Sequence, residues 1–221
     1  MNKRPTYKAY LLFLPFLGID LFLLFYIIAA FKYPGGSFAY PSHEGFSFFN
    51  NYLCDLLDDQ AIIGVENTAS TYARLSLAML CLSIIVIWAY LPKLFSKKSI
   101  FHPIIQITGI SSMLVTIFLR EGMHDPVLRI AGVLGAIALI ATFIEMYKHQ
   151  FYKLLIAGII CMALVSTNFY IYETGYYILQ LPIIQKITFV CCIGWFLTMM
   201  LLIAFKTQMP FWENTDNSAQ F

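Results

Sequence analysis

Residues 9–30 read AYLLFLPFLGIDLFLLFYIIAA, an apolar run interrupted by one ionisable side chain, Asp20. A hydrocarbon core about 30 Å thick is crossed by roughly 20 apolar residues in helical form, and this run meets that length. Lys3, Arg4 and Lys8 precede it, as they would a signal peptide. A signal core is usually about 7–15 residues and ends at a small-residue cleavage site. The run is longer than that, so it is expected to remain as an anchor.

Five more runs repeat the pattern, at residues 72–91, 102–119, 127–147, 154–172 and 179–205. With 60% hydrophobic and 12% charged residues, the composition argues against a water-soluble globule. The expected fold class is all-α: a polytopic membrane helix bundle with six transmembrane helices over residues 1–207, followed by a polar C-terminal tail, 208–221. No internal repeat is visible.

Basic residues set the orientation by the positive-inside rule. With both termini cytoplasmic, the inner side holds Lys3, Arg4, Lys8, Lys93, Lys97, Lys98, Lys148, Lys153 and Lys206. The outer side keeps Lys32, Arg74, Arg120, Arg129 and Lys186, five against nine. Glu44, Asp55, Asp58, Asp59, Glu66, Glu121, Asp125 and Glu173 make that outer side net acidic, a poor surface for nucleic acid. Of the five cysteines, Cys81, Cys161, Cys191 and Cys192 fall within the runs as apolar filler, and Cys54 reads as a free thiol. No Asn-x-Ser/Thr sequon occurs, which fits a bacterial cytoplasmic membrane protein.

Four connections are short turns, which makes neighbouring helices antiparallel. The exception is residues 31–71, a long first outer loop too aromatic for disorder. Phe48, Phe49, Tyr52, Leu53, Leu56 and Leu57 share one helical face, with Asn51, Asp55, Asp58 and Asp59 on the other. This spacing predicts a short amphipathic helix near 48–59, with Ser47 as its N-cap, lying along the outer interface.

Three features could carry chemistry. Asp20 lies near the midpoint of the first run, and Lys186 of the sixth falls within about one helical turn of its depth. A charge there is expensive, so the pair is expected to act either as a proton-coupled position or as interhelical glue. His124 and Asp125, between the third and fourth runs, offer an acid–base pair or metal ligands. Asp125 before Pro126 also reads as an N-cap, ion-paired to Arg129. The face carrying Asn51 and Asp55 offers oxygen ligands to a hard cation, although a solvated face is the simpler reading. A divalent metal would draw on His124, Asp125 and Asp55. No phosphate loop, dinucleotide fingerprint or H-E-x-x-H occurs.

Tyr33-Pro34-Gly35-Gly36-Ser37, Gly45-Phe46, Asn51-Tyr52-Leu53-Cys54-Asp55-Leu56-Leu57 and Asn67 together resemble the first outer loop of the bacterial membrane family catalogued as domain of unknown function 998. His124-Asp125 and Gln185-Lys186-Ile187-Thr188-Phe189 fit the same pattern, and the resemblance covers essentially the whole chain. It implies six helices, a long first outer loop and no established activity. Where the family carries histidine before the Asn-Tyr pair, this chain has Asn50. A more distant likeness is to membrane hydrolases of the ceramidase and progestin-receptor-like superfamily, whose His-x-x-x-His pair has no counterpart here.

The leading functional expectation is non-enzymatic binding or sensing of a lipid or small amphiphile, in a pocket at the outer face. Its expected lining is Asn51, Asp55, Asn67, Arg74, Arg120, His124 and Asp125. The alternatives are a metal-dependent membrane hydrolase using His124 with nearby carboxylates, and a proton-coupled transporter built on Asp20.

Overall fold

The computed structural model describes residues 11–119 and 122–208. These residues form six α-helices: α1 Leu14–Lys32, α2 Ser70–Tyr90, α3 Phe101–Thr116, α4 His124–Lys148, α5 Tyr152–Thr174 and α6 Leu181–Gln208. Three-residue 3-10 turns at Cys54–Leu56 and Ile178–Gln180, and a four-residue one at Leu91–Leu94, join them. Among the described residues no strand forms; two isolated antiparallel bridges, Gly35 to Glu44 and Gln60 to Glu66, fold the long loop on itself. Each helix packs on the next along the chain, and α6 returns to touch α2 and α1.

Five helical segments are long and apolar enough to cross a membrane, from 19 residues at Leu14–Lys32 to 30 at Ile178–Thr207. The chain is thus compatible with an integral membrane protein. The run at 102–119 forms the shorter α3, whose 16 residues span about 24 Å at 1.5 Å per residue.

Inside and outside are equally apolar. Ile87, Ile105, Met199, Met200 and Ile203 are fully buried, while Ile107, Val133 and Val190 stand outward. With no aqueous contrast to drive packing, helices in lipid associate through close fit and hydrogen bonds, and both are present. A Cβ on Gly109 would strike the Trp88 ring, and one on Gly158 would strike Phe143 and Trp195. Single polar donors join adjacent helices. Ser76 Oγ donates to Phe22 O at 2.8 Å, Gln106 Nε2 to Ala89 O at 2.7 Å, and Ser112 Oγ to Ala131 O at 2.8 Å. Asn168 Nδ2 donates to Thr188 Oγ1 at 2.6 Å, and Trp195 Nε1 to Leu154 O at 2.9 Å.

The long loop departs from the expected amphipathic helix near 48–59. The chain makes turns there, with helical hydrogen bonding confined to Cys54–Leu56. Ser47 opens a turn, its backbone N–H donating to Asn51 Oδ1 at 2.9 Å. The expected faces are also mixed: Leu56 and Leu57 are buried and Asp59 is exposed, as an amphipathic pattern would have them, but four residues depart from it. Asn51 and Asp55 are buried, while Phe48 and Phe49 are exposed. Gln185 and Lys186 of α6 meet the loop at Leu53 N and Asn51 O.

Candidate functional site

The outer-loop cluster is built around Asn51. Its Nδ2 donates to Gly36 O at 2.6 Å and to Asp55 Oδ2 at 2.8 Å, and its carbonyl accepts from Lys186 Nζ at 2.6 Å. Lys186 Nζ also reaches Pro182 O at 3.0 Å and lies 5.1 Å from the Phe48 ring centroid. Leu53 N donates to Gln185 Oε1 at 2.8 Å, and Tyr52 Oη to Ile178 O at 3.2 Å. The loop is therefore bolted to the start of α6. Gln185, which the sequence placed only within the family resemblance, and Lys186, expected at the depth of Asp20, are its anchors.

Asn67 and Arg74 tie down the other side of the loop. Asn67 Nδ2 faces Asp55 O, Leu56 O and Asp58 O at 3.2, 3.3 and 2.8 Å, and its Oδ1 accepts from Ala69 N at 3.0 Å. Arg74 Nε and Nη2 bond Leu57 O at 3.0 and 2.8 Å, and Nη2 pairs with Asp59 at 2.6 Å. Burial raises Asp55 from an ordinary 3.8 to about 6, opposed by the bonds from Asn51 and Tyr52 N and by the Lys186 charge. Burial likewise pushes the Tyr33 and Tyr52 hydroxyls up to about 12 and the Cys54 thiol further up. Asn51, Asp55, Asn67 and Arg74 of the expected lining come together here, but their polar atoms are occupied by other groups of the loop and of α6. They close the loop and leave few donors free for a ligand.

His124 and Asp125 form a second, exposed group, set across from α5. Tyr172 Oη donates to Asp125 Oδ1 at 2.8 Å, and His124 Nδ1 lies 3.1 Å from the same oxygen. The expected Asp125–Arg129 pair does not form; Arg129 binds Glu173 at 3.0 Å instead. The helix begins at His124 with Met123 as its cap, so Asp125 lies in the first turn. Arg120 lies outside the described residues. Among the described residues, no group of three or more His, Cys, Asp or Glu is placed to hold a metal ion.

Asp20 and Lys186 do not meet. Asp20 stands on the exposed face of α1, while Lys186 is buried and turned to the loop carbonyls.

Two features escaped the sequence reading. At the opposite end of the bundle, Glu145 is fully buried. It accepts from Ser99 Oγ at 2.8 Å and Lys148 Nζ at 3.1 Å, with His102 Nε2 at 3.6 Å and His149 Nδ1 at 3.8 Å. Phe95 packs against both histidine rings. An acidic residue late in an apolar run, with Lys148 and His149 at i+3 and i+4, was the available signal. The second feature is a groove between α5 and α6, about 810 Å³ in volume, whose apolar wall includes Leu154, Ala157, Ile160, Trp195 and Leu202, with Gln150 and Lys153 at one end.

This fold is an all-helical bundle compatible with an integral membrane protein, with a long loop closed on itself. Beyond the class, no protein-family model, curated protein or solved structure matches the chain.

Proposed function

We propose that this chain is a six-span protein of a bacterial cytoplasmic membrane, both termini cytoplasmic, that binds a lipid or small amphiphile without catalysing a reaction. The resemblance to the family of domain of unknown function 998 supports six spans, with α3 and the turn after it completing the short third crossing. The observation that carries the binding reading is the α5–α6 groove. Its volume of about 810 Å³ lies within the range typical of small-molecule sites, roughly 300–1,000 Å³. Apolar walls suit an acyl chain, and Lys153 at the cytoplasmic rim suits an anionic head. The outer pocket expected from sequence is a weaker seat, because Asn51, Asp55 and Asn67 are bonded within the loop and Arg74 is taken up by Leu57 O and Asp59. Among the described residues no group of three metal-ligating side chains gathers for a metal-dependent hydrolase, and a relay from Asp20 to Lys186 lacks contact.

The test is native mass spectrometry of protein purified from the membrane in mild detergent. Wild type should retain bound lipid, enriched in anionic species. Ala157→Trp should fill the groove and abolish retention, and Lys153→Glu should remove the anionic preference. Retention unchanged in Ala157→Trp would overturn the assignment of the groove.

A further inference from the structure

We infer that Cys161 on α5 and Cys192 on α6 are a disulfide-forming pair, joined within the membrane when a lipid-soluble quinone takes their hydrogens. This rests on the membrane reading above but not on a lipid in the groove.

The two helices meet in a register that sets these residues face to face. A Cβ on Gly158 would lie 2.6 Å from the Trp195 ring, so the backbone of α5 runs close to α6 there. Three residues on from Gly158 is Cys161, and three back from Trp195 is Cys192, one turn along the same antiparallel contact. Further along, Asn168 Nδ2 donates to Thr188 Oγ1 at 2.6 Å, so contacts bracket the pair on both sides. The thiols of Cys161 and Cys192 hydrogen-bond each other. Cys161 is buried and Cys192 half-buried. A disulfide needs its Cα atoms within about 7 Å. A glycine one turn away is the kind of residue that lets helix backbones come that near in lipid.

The surroundings select the oxidant. Cys161 lies nine residues beyond Tyr152, about 14 Å along the axis of α5. Thiol–disulfide exchange in water proceeds through a thiolate, and an unpaired anion buried in apolar surroundings is costly. A quinone avoids that ion. Two thiols and one quinone give one disulfide and one hydroquinone. Both S–H bonds break, the S–S bond forms, and the two hydrogens with their electrons pass to the quinone oxygens. Reactants and products are all neutral, so no charge is left in the hydrocarbon. Cys161 and Trp195 line the same groove, so a flat ring entering it meets a thiol and an indole together. The bond, once formed, fixes the spacing of the two helices that wall the groove.

The full chain, with its cysteines reduced, is reconstituted into phosphatidylcholine–phosphatidylglycerol vesicles. Flotation confirms insertion first; failure there would count against the membrane reading itself. Decylubiquinone is added under nitrogen, and remaining thiols are blocked with N-ethylmaleimide in denaturant. The unreduced digest is then read by mass spectrometry. The expected product is a peptide pair joined from Cys161 to Cys192, with one hydroquinone formed per bond, and lost after dithiothreitol. Without quinone, both residues should be recovered blocked. Cys161→Ser and Cys192→Ser should each abolish the bond and its hydroquinone, whereas Cys81→Ala on α2 should change neither. The wild-type measurement depends on no variant folding. Cys161 and Cys192 both blocked after quinone treatment would overturn the proposal, as would a bond from Cys161 to Cys191 in its place.

Discussion

Asp55 shows how a residue's role follows its surroundings. Its carboxyl titrates near 6, raised first by burial from 3.8. Between those values the folded loop holds a proton that the open loop has released, so closure weakens as pH rises. The stabilisation is fully present below about pH 4 and is lost as pH passes through 6, on the order of 3 kcal/mol in all. Protease sensitivity of the outer loop should accordingly rise from pH 5 to pH 8 in wild type. In Asp55→Asn it should be flat, because an amide oxygen can still accept from Asn51 and Tyr52 N; an equal rise in both would refute the role given to Asp55. The loop's polar cluster was legible as a set of residues but not as a lock. Asn51 and Asp55 look like a solvated face until Lys186 and Gln185, far along the chain, supply the partners that take them inside.

At the scale of the element, the glycines separate helix faces that hydropathy treats alike. Gly109→Ala would force a methyl group into the Trp88 ring, and overpacking of this kind costs about 1–3 kcal/mol. Gly132→Ala on α4 meets open space and gains helix propensity, up to about 1 kcal/mol. Thermal unfolding in one detergent should lower the midpoint for the first and leave it equal or higher for the second. Equal losses would mean that α2–α3 contact is looser than the Gly109–Trp88 fit indicates. The runs at 72–91 and 127–147 were legible as helices because any long apolar segment in lipid must satisfy its backbone internally. The segment near 48–59 was misread because its spacing suits a helix, whereas backbone groups at its turns are better satisfied by Asn51, Asp55 and Gln185.

For the whole molecule, the two ends are fastened independently. The outer end is held by Lys186 and Asn51, the inner end by Glu145, which gathers Ser99, Lys148 and the two histidines. Glu145→Ala would leave Ser99 and the half-exposed Lys148 without their acceptor, a loss of about 1–3 kcal/mol. It should expose the connection bearing Lys97 and Lys98 to trypsin while outer-loop hydrogen exchange stays at wild-type levels. Loosening of both ends together would instead show one cooperative unit.

The amino-acid sequence alone determined the helical class and helices fit to cross a membrane, because long apolar runs joined by short connections admit little else. Tertiary structure alone decided which way each helix faces. Where lipid and core are both apolar, hydropathy carries no signal of rotation, and only side-chain fit and scattered hydrogen bonds choose it. That choice turned Lys186 into the bundle and Asp20 out of it, buried Asn51 and Asp55 in the outer loop, and opened the groove between α5 and α6.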